Sequence, residues 1–405
     1  MKIFIIWIFL RLIRSFGLAL RIFEYLRKRL ISIRKKIILG KFKEYNLKKM
    51  SDITNHKLLY QSEITLQDFD LPAIEGLTQG GYIARIDPGD FLYQFEEVTC
   101  TGGPDFLRFK DGSVANQKLF RKEYEILRPS DADLLLINGY KVRLSEEKNI
   151  RISDAAFSLL GPYSIHWAHF MGQYLQKLDF LKFLDSYESI DLLVDKGADP
   201  HIIELIEFYI EKNKSIRIKI LFVDKLNSVY CKKMYYCYLS SFVGDEGEYF
   251  SPLSIYISMA TMNTWKKIAV NFIKPSSHKQ SKKIFIERSG VRNIINYEAI
   301  KAAYLSKGYE AVKPHELKLN EKIKLFQSAT NIVGPGSTGF INIIFCNPGT
   351  KVKMFVNSGR YLDSYLAKFA KINEIDLIYI SGIDENLKNP NSNYFINDQL
   401  SHREL

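Results

Sequence analysis

The sequence has few of the residues that build disulfide frameworks and zinc centres. It contains 4 cysteines and 7 histidines in 405 residues. The cysteines, which show no C-x-x-C spacing and have no histidine cluster nearby, are Cys100, Cys231, Cys237 and Cys346. The spacing of Cys231 and Cys237 fits no common zinc site. We therefore predict reduced thiols in a cytosolic compartment.

The sequence also lacks an uncharged apolar run long enough to span a bilayer, because Arg11 and Arg14 interrupt the apolar residues near the start. Residues 1–43 are rich in Lys and Arg and hold one acidic residue, Glu24. As a helix, this segment has a charged face and an aromatic, leucine-rich face, and no small-residue cleavage site follows it. We predict a basic amphipathic segment lying peripherally on the cytoplasmic face of an anionic membrane. A helix packed on the protein's own core is the alternative. An arm for nucleic acid is less favoured, because the apolar face is large.

The composition is otherwise that of a globular protein with a basic surface. Apolar residues make up 46%, charged residues 25% and aromatic residues 13%, with a net charge of +12. This charge leaves nucleic acid, anionic lipid and phosphorylated small molecules open as partners. The length favours two domains.

The pattern of apolar residues changes along the chain. Residues 44–150 alternate short apolar runs with turns, which predicts strands. From residue 151, strands alternate with helices, and residues 166–184 have the 3–4 spacing of an amphipathic helix. A long connecting helix is expected over 251–273, followed by a polar linker at 274–283. Repeated βαβ units then predict a parallel sheet with helices on both faces. We divide the chain into the segment 1–43, an N-terminal domain 44–273 and a C-terminal domain 274–405.

A loop of small residues interrupts the last part of this pattern. Gly334, Gly336, Ser337, Thr338 and Gly339 follow a predicted strand and precede a predicted helix. In a parallel sheet this position lies at the carboxyl ends of the strands, where helix amides suit a diphosphate and hydroxyls add contacts. The loop matches neither G-x-G-x-x-G nor the P-loop, so a tight turn with glycines needed for packing is an equal alternative.

Two arginines are predicted to lie near this loop. Arg288 closes a strand and Arg292 lies in the loop that follows it, at the same edge of the sheet. A guanidinium binds phosphate through paired hydrogen bonds. The alternative for Arg288 is a surface ion pair with Glu287 or Glu298.

Several stretches, in this order, resemble glycosyltransferase family 61, a group related to bacterial capsular polysaccharide biosynthesis proteins. The stretches are "LYQFEEVTCTGGPDFLRFKDGSV" near the start, "HFMGQYLQKL" from His169 to Leu178, "ERSGVRNIIN", "LNEKIKLFQSA", "VGPGSTGFINIIFCNPGT" and the tail "LIYISG…NYFINDQL". The resemblance implies an α/β, GT-B-like fold with two Rossmann-like domains facing across a cleft. It also implies inverting transfer from a nucleotide-sugar donor to a glycan acceptor, with no obligate metal and no cofactor.

The resemblance also implies roles for individual residues. Arg288, Arg292 and the glycine loop, with Glu321 and Asn342, would bind the donor, and Gln173 would lie on the acceptor side. The sequence departs from the family pattern in three places. Gln173 replaces the usual Asp or Glu, Gly336 replaces a common His, and Gln176 replaces a Pro.

An inverting transfer needs a base near the acceptor hydroxyl. His169 matches the family's His, and His166 lies one turn earlier. The amino end of a helix disfavours imidazolium and so keeps such a ring able to accept a proton. The alternative is a core histidine bonded to backbone. The D-x-D triplet at 131–133 is interpreted as turn chemistry.

We therefore expect a membrane-associated glycosyltransferase acting in surface polysaccharide biosynthesis. The alternative is a catalytically degenerate sugar-nucleotide-binding partner of such an enzyme, which Gln173 and Gly336 support. A nucleic-acid-binding protein is less favoured, because no binding motif is present.

Overall fold

A computed structural model gives the fold. It describes residues 42–48, 52–53, 56–63, 65–71, 74–75, 81–87, 89–103, 106–115, 134–138, 141–184, 189–212, 216–225, 227–239, 241–243, 255–272, 281–288, 293–357, 364–384 and 393–397. The predicted segment 1–43 therefore lies almost entirely outside the described residues, as do Arg292 and the D-x-D triplet. Among the residues described, no helix has both the length and the apolar character needed to cross a membrane.

The described chain contains strands and helices of the following bounds. In chain order the strands are β1 (Phe42–Leu47), β2 (His56–Gln61), β3 (Thr65–Leu71), β4 (Ile74–Glu75), β5 (Gly81–Asp87), β6 (Phe91–Thr101), β7 (Leu107–Arg108), β8 (Ser113–Ala115), β9 (Leu134–Asn138), β10 (Lys141–Ser145), β11 (Lys148–Ser158), β12 (Ser189–Asp195), β13 (Arg217–Val223), β14 (Asn227–Tyr238), β15 (Phe242–Val243), β16 (Ile255–Tyr256), β17 (Lys282–Ile286), β18 (Glu310–Val312), β19 (Ala329–Pro335), β20 (Lys351–Asn357), β21 (Asp376–Asp384) and β22 (Tyr394–Phe395). The helices are α1 (Trp167–His169, continued as Phe170–Tyr174 and Leu175–Phe183), α2 (Pro200–Lys212), α3 (Met259–Phe272), α4 (Tyr297–Ser306), α5 (Leu319–Ser328), α6 (Thr338–Phe345) and α7 (Ser364–Ile372).

The larger sheet has 11 strands, in the order β13-β12-β11-β14-β6-β7-β8-β1-β10-β9, with β2 also paired to β6. Strands β13, β12, β11 and β14 run parallel, and β6 pairs antiparallel with β14. The β-rich prediction for 44–150 and the β/α alternation after residue 151 are both confirmed. The parallel strands bring the start of α1 to the end of β11.

The smaller sheet has 7 strands, in the order β18-β17-β19-β20-β21-β22, with β4 paired to β21. Strands β18 through β21 run parallel, as the repeated βαβ pattern predicts. Strand β17 lies between β18 and β19. The connection after β17 therefore leads to a strand on one side of β17, and the connection after β18 leads to a strand on the opposite side. This reversal falls at the carboxyl ends of β17 and β19, which is the position at which open α/β sheets bind ligands.

The structure differs from the sequence prediction in four places. The helix expected over 251–273 begins only at Met259, after the short strand β16. The predicted linker ends early, because Lys282 already belongs to β17. The boundary at 43 falls inside β1, whose Phe42 pairs with Ser145 of β10. Finally, β4 comes from the segment 44–273 yet pairs with the smaller sheet.

One apolar core extends from one sheet to the other. It includes Phe157 and Leu192 from the larger sheet and Ile332 and Val352 from the smaller one, all fully buried. Trp265 of α3 joins the two parts, because its indole N–H donates to the Met171 carbonyl at 2.7 Å and its ring packs on Phe369. The mixed α/β class is confirmed, and the GT-B arrangement stays a prediction.

Candidate functional site

The first half of the site is the amino end of α1. This helix begins with an α-helical turn at Trp167–His169, widens into a π-helix at Phe170–Tyr174 and tightens into a 3-10 helix at Leu175–Phe183. A π-helical turn inserts one extra residue and is frequent at functional sites. The predicted helix over 166–184 is therefore present, but it is irregular at the turn that carries Gln173.

His169 and Gln173 contact each other within this helix. The Gln173 amide nitrogen lies 3.0 Å from His169 Nδ1. His169 is half-buried, whereas Gln173 is buried and His166 is exposed. The rings of His166 and His169 have centroids 6.4 Å apart. The predicted histidines and Gln173 thus lie together, and neither histidine is a fully buried core residue.

The partner of Nδ1 decides what His169 can do chemically. When the Gln173 N–H donates to Nδ1, a neutral ring carries its proton on Nε2 and cannot take another there. When the amide is rotated by 180°, its oxygen accepts Nδ1–H, and Nε2 has a lone pair for an incoming proton. A carboxylate at this position could only accept, so the glutamine allows both states where an acid allows one.

The loop before α1 is fixed by a buried carboxylate. Asp195, at the end of β12, accepts hydrogen bonds from the Gly161 N–H at 3.0 Å, the Ser164 hydroxyl at 2.5 Å and the Gly103 N–H at 2.7 Å. Burial raises the pKa of Asp195, although these hydrogen bonds oppose the rise. The Tyr174 hydroxyl donates to the Pro162 carbonyl at 2.7 Å. The conformation of the loop is thus set from two sides before the chain enters α1.

The second half of the site lies at the carboxyl ends of the paired strands β17 and β19. Arg288 is the second residue after β17, is half-buried, and donates from Nη1 to the Gly336 carbonyl of the glycine loop. The neighbouring Glu287 forms an ion pair with Lys301. The hydroxyl of Tyr297 hydrogen-bonds with the backbone of Arg288, while burial and nearby carboxylates raise its pKa to about 12. The Arg288 guanidinium therefore contacts the predicted glycine loop.

The glycines of the loop have packing roles. A Cβ at Gly334 would overlap the Ile286 carbonyl oxygen, and one at Gly336 would lie 2.9 Å from Met354 Cε. At Gly339, a Cβ would lie 3.2 Å from Ile286 Cγ2. These glycines let β19 approach its neighbours closely, so the packing alternative considered for the loop is supported. A substitution at Gly334 would therefore disturb the packing of β19 on β17, whether or not a ligand is bound.

The hydroxyls of the loop lie in different environments. Ser337 precedes α6, and its hydroxyl is buried without a hydrogen-bond partner among the described residues. Thr338, the first residue of α6, is exposed. A buried hydroxyl without a partner is uncommon in folded proteins. These two hydroxyls are the polar side chains that the loop itself offers.

Two residues assigned to donor binding have structural partners. Asn342 is buried, accepts the Trp167 indole N–H at 3.1 Å and donates to the Gly339 carbonyl at 2.8 Å. It thereby joins α6 to the first turn of α1. Glu321 is exposed and accepts the backbone N–H of Lys318 at 3.1 Å, which caps α5. Their part in donor binding stays a prediction.

Sequence reasoning missed two buried polar residues, Lys322 and His201, where the two halves meet. Lys322 of α5 is buried with Nζ 4.6 Å from the centroid of the Trp167 ring, and burial lowers its pKa to about 8. His201 of α2 is also buried; its Nδ1 lies 2.8 Å from Asp199 Oδ1 and its Nε2 lies 2.5 Å from the Leu317 carbonyl oxygen. Only their helical spacing was visible in the sequence, since the contacts join distant elements.

No group of three or more His, Cys, Asp or Glu side chains that could hold a metal ion occurs among the residues described. The expectation of a metal-independent reaction stays a prediction.

Comparison with known families gives one finding. The family model described as Glycosyltransferase 61 matches residues 167–353, a little less than half of the chain. The matched region begins at Trp167 and contains His169, Gln173, Arg288 and the whole glycine loop. The resemblance seen in the motifs is therefore confirmed. No curated protein matches the chain.

Proposed function

We propose that this chain, whose residues 167–353 match glycosyltransferase 61, is an inverting glycosyltransferase. Its donor is a nucleotide-sugar and its acceptor is a glycan or lipid-linked glycan. The product belongs to a surface polysaccharide of capsular, exopolysaccharide or lipopolysaccharide type. The family match supports glycosyl transfer, while the donor class, acceptor class and stereochemistry are our proposal.

The observation that carries the proposal is the contact between Arg288 and Gly336. In this contact a guanidinium lies against a small-residue loop at the sheet edge where the strand order reverses. A guanidinium there carries a positive charge suited to a diphosphate, and the first amides of α6 carry partial positive charge. Both would stabilise the negative charge that develops on the leaving nucleoside diphosphate.

His169 is the proposed base. The acceptor oxygen attacks the anomeric carbon as the bond from that carbon to the diphosphate oxygen breaks. The acceptor proton passes to His169 Nε2 while Nδ1–H donates to the Gln173 amide oxygen. The nucleoside diphosphate leaves with the electron pair of the broken bond. Attack opposite the leaving group inverts the anomeric centre.

The wider arrangement is part of the same proposal. The junction formed by Trp167, Asn342, His201 and Lys322 supports a GT-B-like cleft, because it joins the starts of helices from both sheets. Residues 1–43 would hold the enzyme on the cytoplasmic face of the membrane, beside a lipid-linked acceptor.

A thermal-shift screen of the full chain against a panel of nucleotide-sugars tests the donor site, because a ligand that binds the folded state raises its apparent stability. We expect Arg288→Ala to lose about 2 kcal/mol of binding free energy, the size of one charged hydrogen bond. Arg217→Ala removes an exposed arginine at the start of β13 and is the matched control. Equal shifts for both variants would contradict the donor assignment.

Release of nucleoside diphosphate from the donor identified in this screen then tests the base. His169→Ala should lower turnover by about 10²–10⁴-fold, the usual contribution of a positioned base. Donor binding should be retained, because the proposed donor site lies on the other sheet. The same fall in His166→Ala would place the base in doubt.

Gln173 favours one other function, a catalytically degenerate partner that binds sugar nucleotide. Its amide can hold His169 in the tautomer that takes no proton at Nε2. A partner of this kind would be stabilised by a nucleotide-sugar without turning it over, and His169→Ala would change nothing.

A further inference from the structure

Tyr163, three residues before His166, has an uncommon backbone conformation. Its φ is +64°, in the left-handed region that bulky side chains rarely adopt. A residue held in this conformation persists there only where the surrounding structure imposes it. The loop supplies that constraint, because Asp195 holds Gly161 and Ser164 on either side of Tyr163.

Contacts with Tyr174 of α1 also constrain the residues that precede Tyr163. Tyr174 occupies the space where a Cβ at Gly161 would lie, and its hydroxyl holds the Pro162 carbonyl. The His166 N–H donates to the Tyr163 carbonyl at 2.9 Å and closes the turn. The backbone of Tyr163 is thus constrained by hydrogen bonds on both sides of it in the chain.

The result of this conformation is a ring contact. The Tyr163 ring stacks on the His169 imidazole with centroids 4.9 Å apart and planes 25° apart. Gln173 holds Nδ1 of the same imidazole. One contact sets the plane of the ring and the other sets its rotation, so the position of Nε2 is determined by both.

We propose that Tyr163 is a positioning residue for His169, held in its strained conformation by Asp195 so that its ring fixes the plane of the imidazole. This inference rests on the proposed role of His169 as base. It assigns Tyr163 no contact with substrate. A misplacement of about 1 Å at a reacting group costs up to about 10²-fold in rate.

Three variants separate the ring from the backbone. Tyr163→Phe keeps the stack and should retain most of the turnover. Tyr163→Ala and Tyr163→Gly both remove it and should lower kcat by about 10- to 100-fold, with the thermal shift given by the donor unchanged. Glycine adopts the left-handed conformation without strain, so Tyr163→Gly should melt at a higher temperature than Tyr163→Ala. Glu374→Gly, at φ +56° in a turn far along the chain, is the matched backbone control and should keep full turnover.

NMR of histidine-labelled full-length protein gives a readout that does not depend on turnover. Stacking on Tyr163 shifts the His169 ring protons upfield, and both Tyr163→Ala and Tyr163→Gly should remove that shift while Tyr163→Phe keeps it. Loss of the shift with kcat unchanged would overturn the positioning role and leave the proposed function intact. Loss of the shift with no effect of His169→Ala on turnover would instead overturn the base assignment on which the inference rests.

Discussion

Asn342 and Trp167 are joined by a buried hydrogen bond of 3.1 Å between the amide oxygen and the indole N–H. One residue belongs to the helix after the glycine loop and the other begins the helix of His169. Because Asn342 also donates to the Gly339 carbonyl, a single side chain links the proposed donor loop to the proposed base helix.

Asn342→Ala should therefore act mainly on stability. It leaves the buried Trp167 N–H and the Gly339 carbonyl without this partner, at an expected cost of about 1–3 kcal/mol in the free energy of unfolding. Asn347→Ala is the control, because Asn347 is exposed and its side chain donates one hydrogen bond to the Gln327 carbonyl. Urea unfolding of both variants measures the difference. A stable Asn342 variant with weakened donor binding would restore the direct binding role.

Lys322 makes stability depend on pH in the alkaline range. An unfolded lysine titrates near pH 10.4, whereas burial lowers the pKa of Lys322 to about 8. Between these values the unfolded chain binds more protons than the folded chain. The free energy of unfolding therefore increases, and the fold becomes more stable, as pH rises from about 8 to 10.4. The gain should be of order 1–3 kcal/mol, since one pKa unit corresponds to about 1.4 kcal/mol.

Lys322→Met removes the charge and should remove this pH dependence. Other titrating groups are shared with the natural chain and cancel in the difference between the two unfolding curves. Lys324→Met, on the exposed face of the same helix, should leave the alkaline slope unchanged. Parallel curves for the natural chain and Lys322→Met would show that the lysine is not buried in solution.

Gly334→Ala should destabilise the smaller sheet through β17. The new methyl group overlaps the Ile286 carbonyl oxygen, which is backbone and cannot move without disturbing the strand. We expect a loss about 2 kcal/mol larger than in Gly349→Ala, where φ is also positive but nothing lies within 4 Å of the added group. Thermal unfolding compares the two. Similar losses would mean that β19 and β17 are further apart than the structure shows.

Gln173→Glu should increase turnover if His169 is the base. A carboxylate can only accept a hydrogen bond, so it holds the proton on Nδ1 and leaves Nε2 as the acceptor. A catalytic histidine in the wrong tautomer lowers turnover by orders of magnitude. We therefore expect Gln173→Glu to raise turnover by about 10-fold. Nitrogen chemical shifts of His169 report the tautomer directly. Gln173→Leu, which keeps no hydrogen bond, should lower turnover. A gain in the leucine variant would argue against the orienting role.

Removal of residues 1–40 should release the protein from anionic vesicles. The deletion stops before β1, since a cut at 43 would remove Phe42 and its pairing with Ser145. Each Lys or Arg near an anionic surface contributes about 1 kcal/mol, so the loss of binding should be large. Co-sedimentation at low salt measures it, with zwitterionic vesicles as the control. Binding that survives the deletion would place the membrane-associating surface elsewhere.

The smaller sheet could be predicted from sequence because its strands and helices differ sharply in period and are separated by glycine and proline. Strand β14 could not, because its 12 residues bury side chains on both faces and show no alternation of polar and apolar residues. The contact of Trp167 with Asn342 depends on residues 175 positions apart. The left-handed conformation of Tyr163 could not be predicted from the sequence for another reason. It is imposed by the hydrogen bonds of Asp195 and not by the backbone preference of tyrosine.

The pairing of β4 with β21 has a consequence for synthesis of the chain. Ile74 emerges from the ribosome long before Tyr379, its partner in the smaller sheet. The early strand must therefore wait, unpaired, until almost the whole polypeptide has been made. An expression fragment starting near residue 274 would lack this strand and leave one side of β21 open to another molecule at Tyr379 and Ile380, which favours aggregation. Coexpression of a fragment ending near residue 273 would return the missing strand, so the two pieces should be more soluble together than the second is alone.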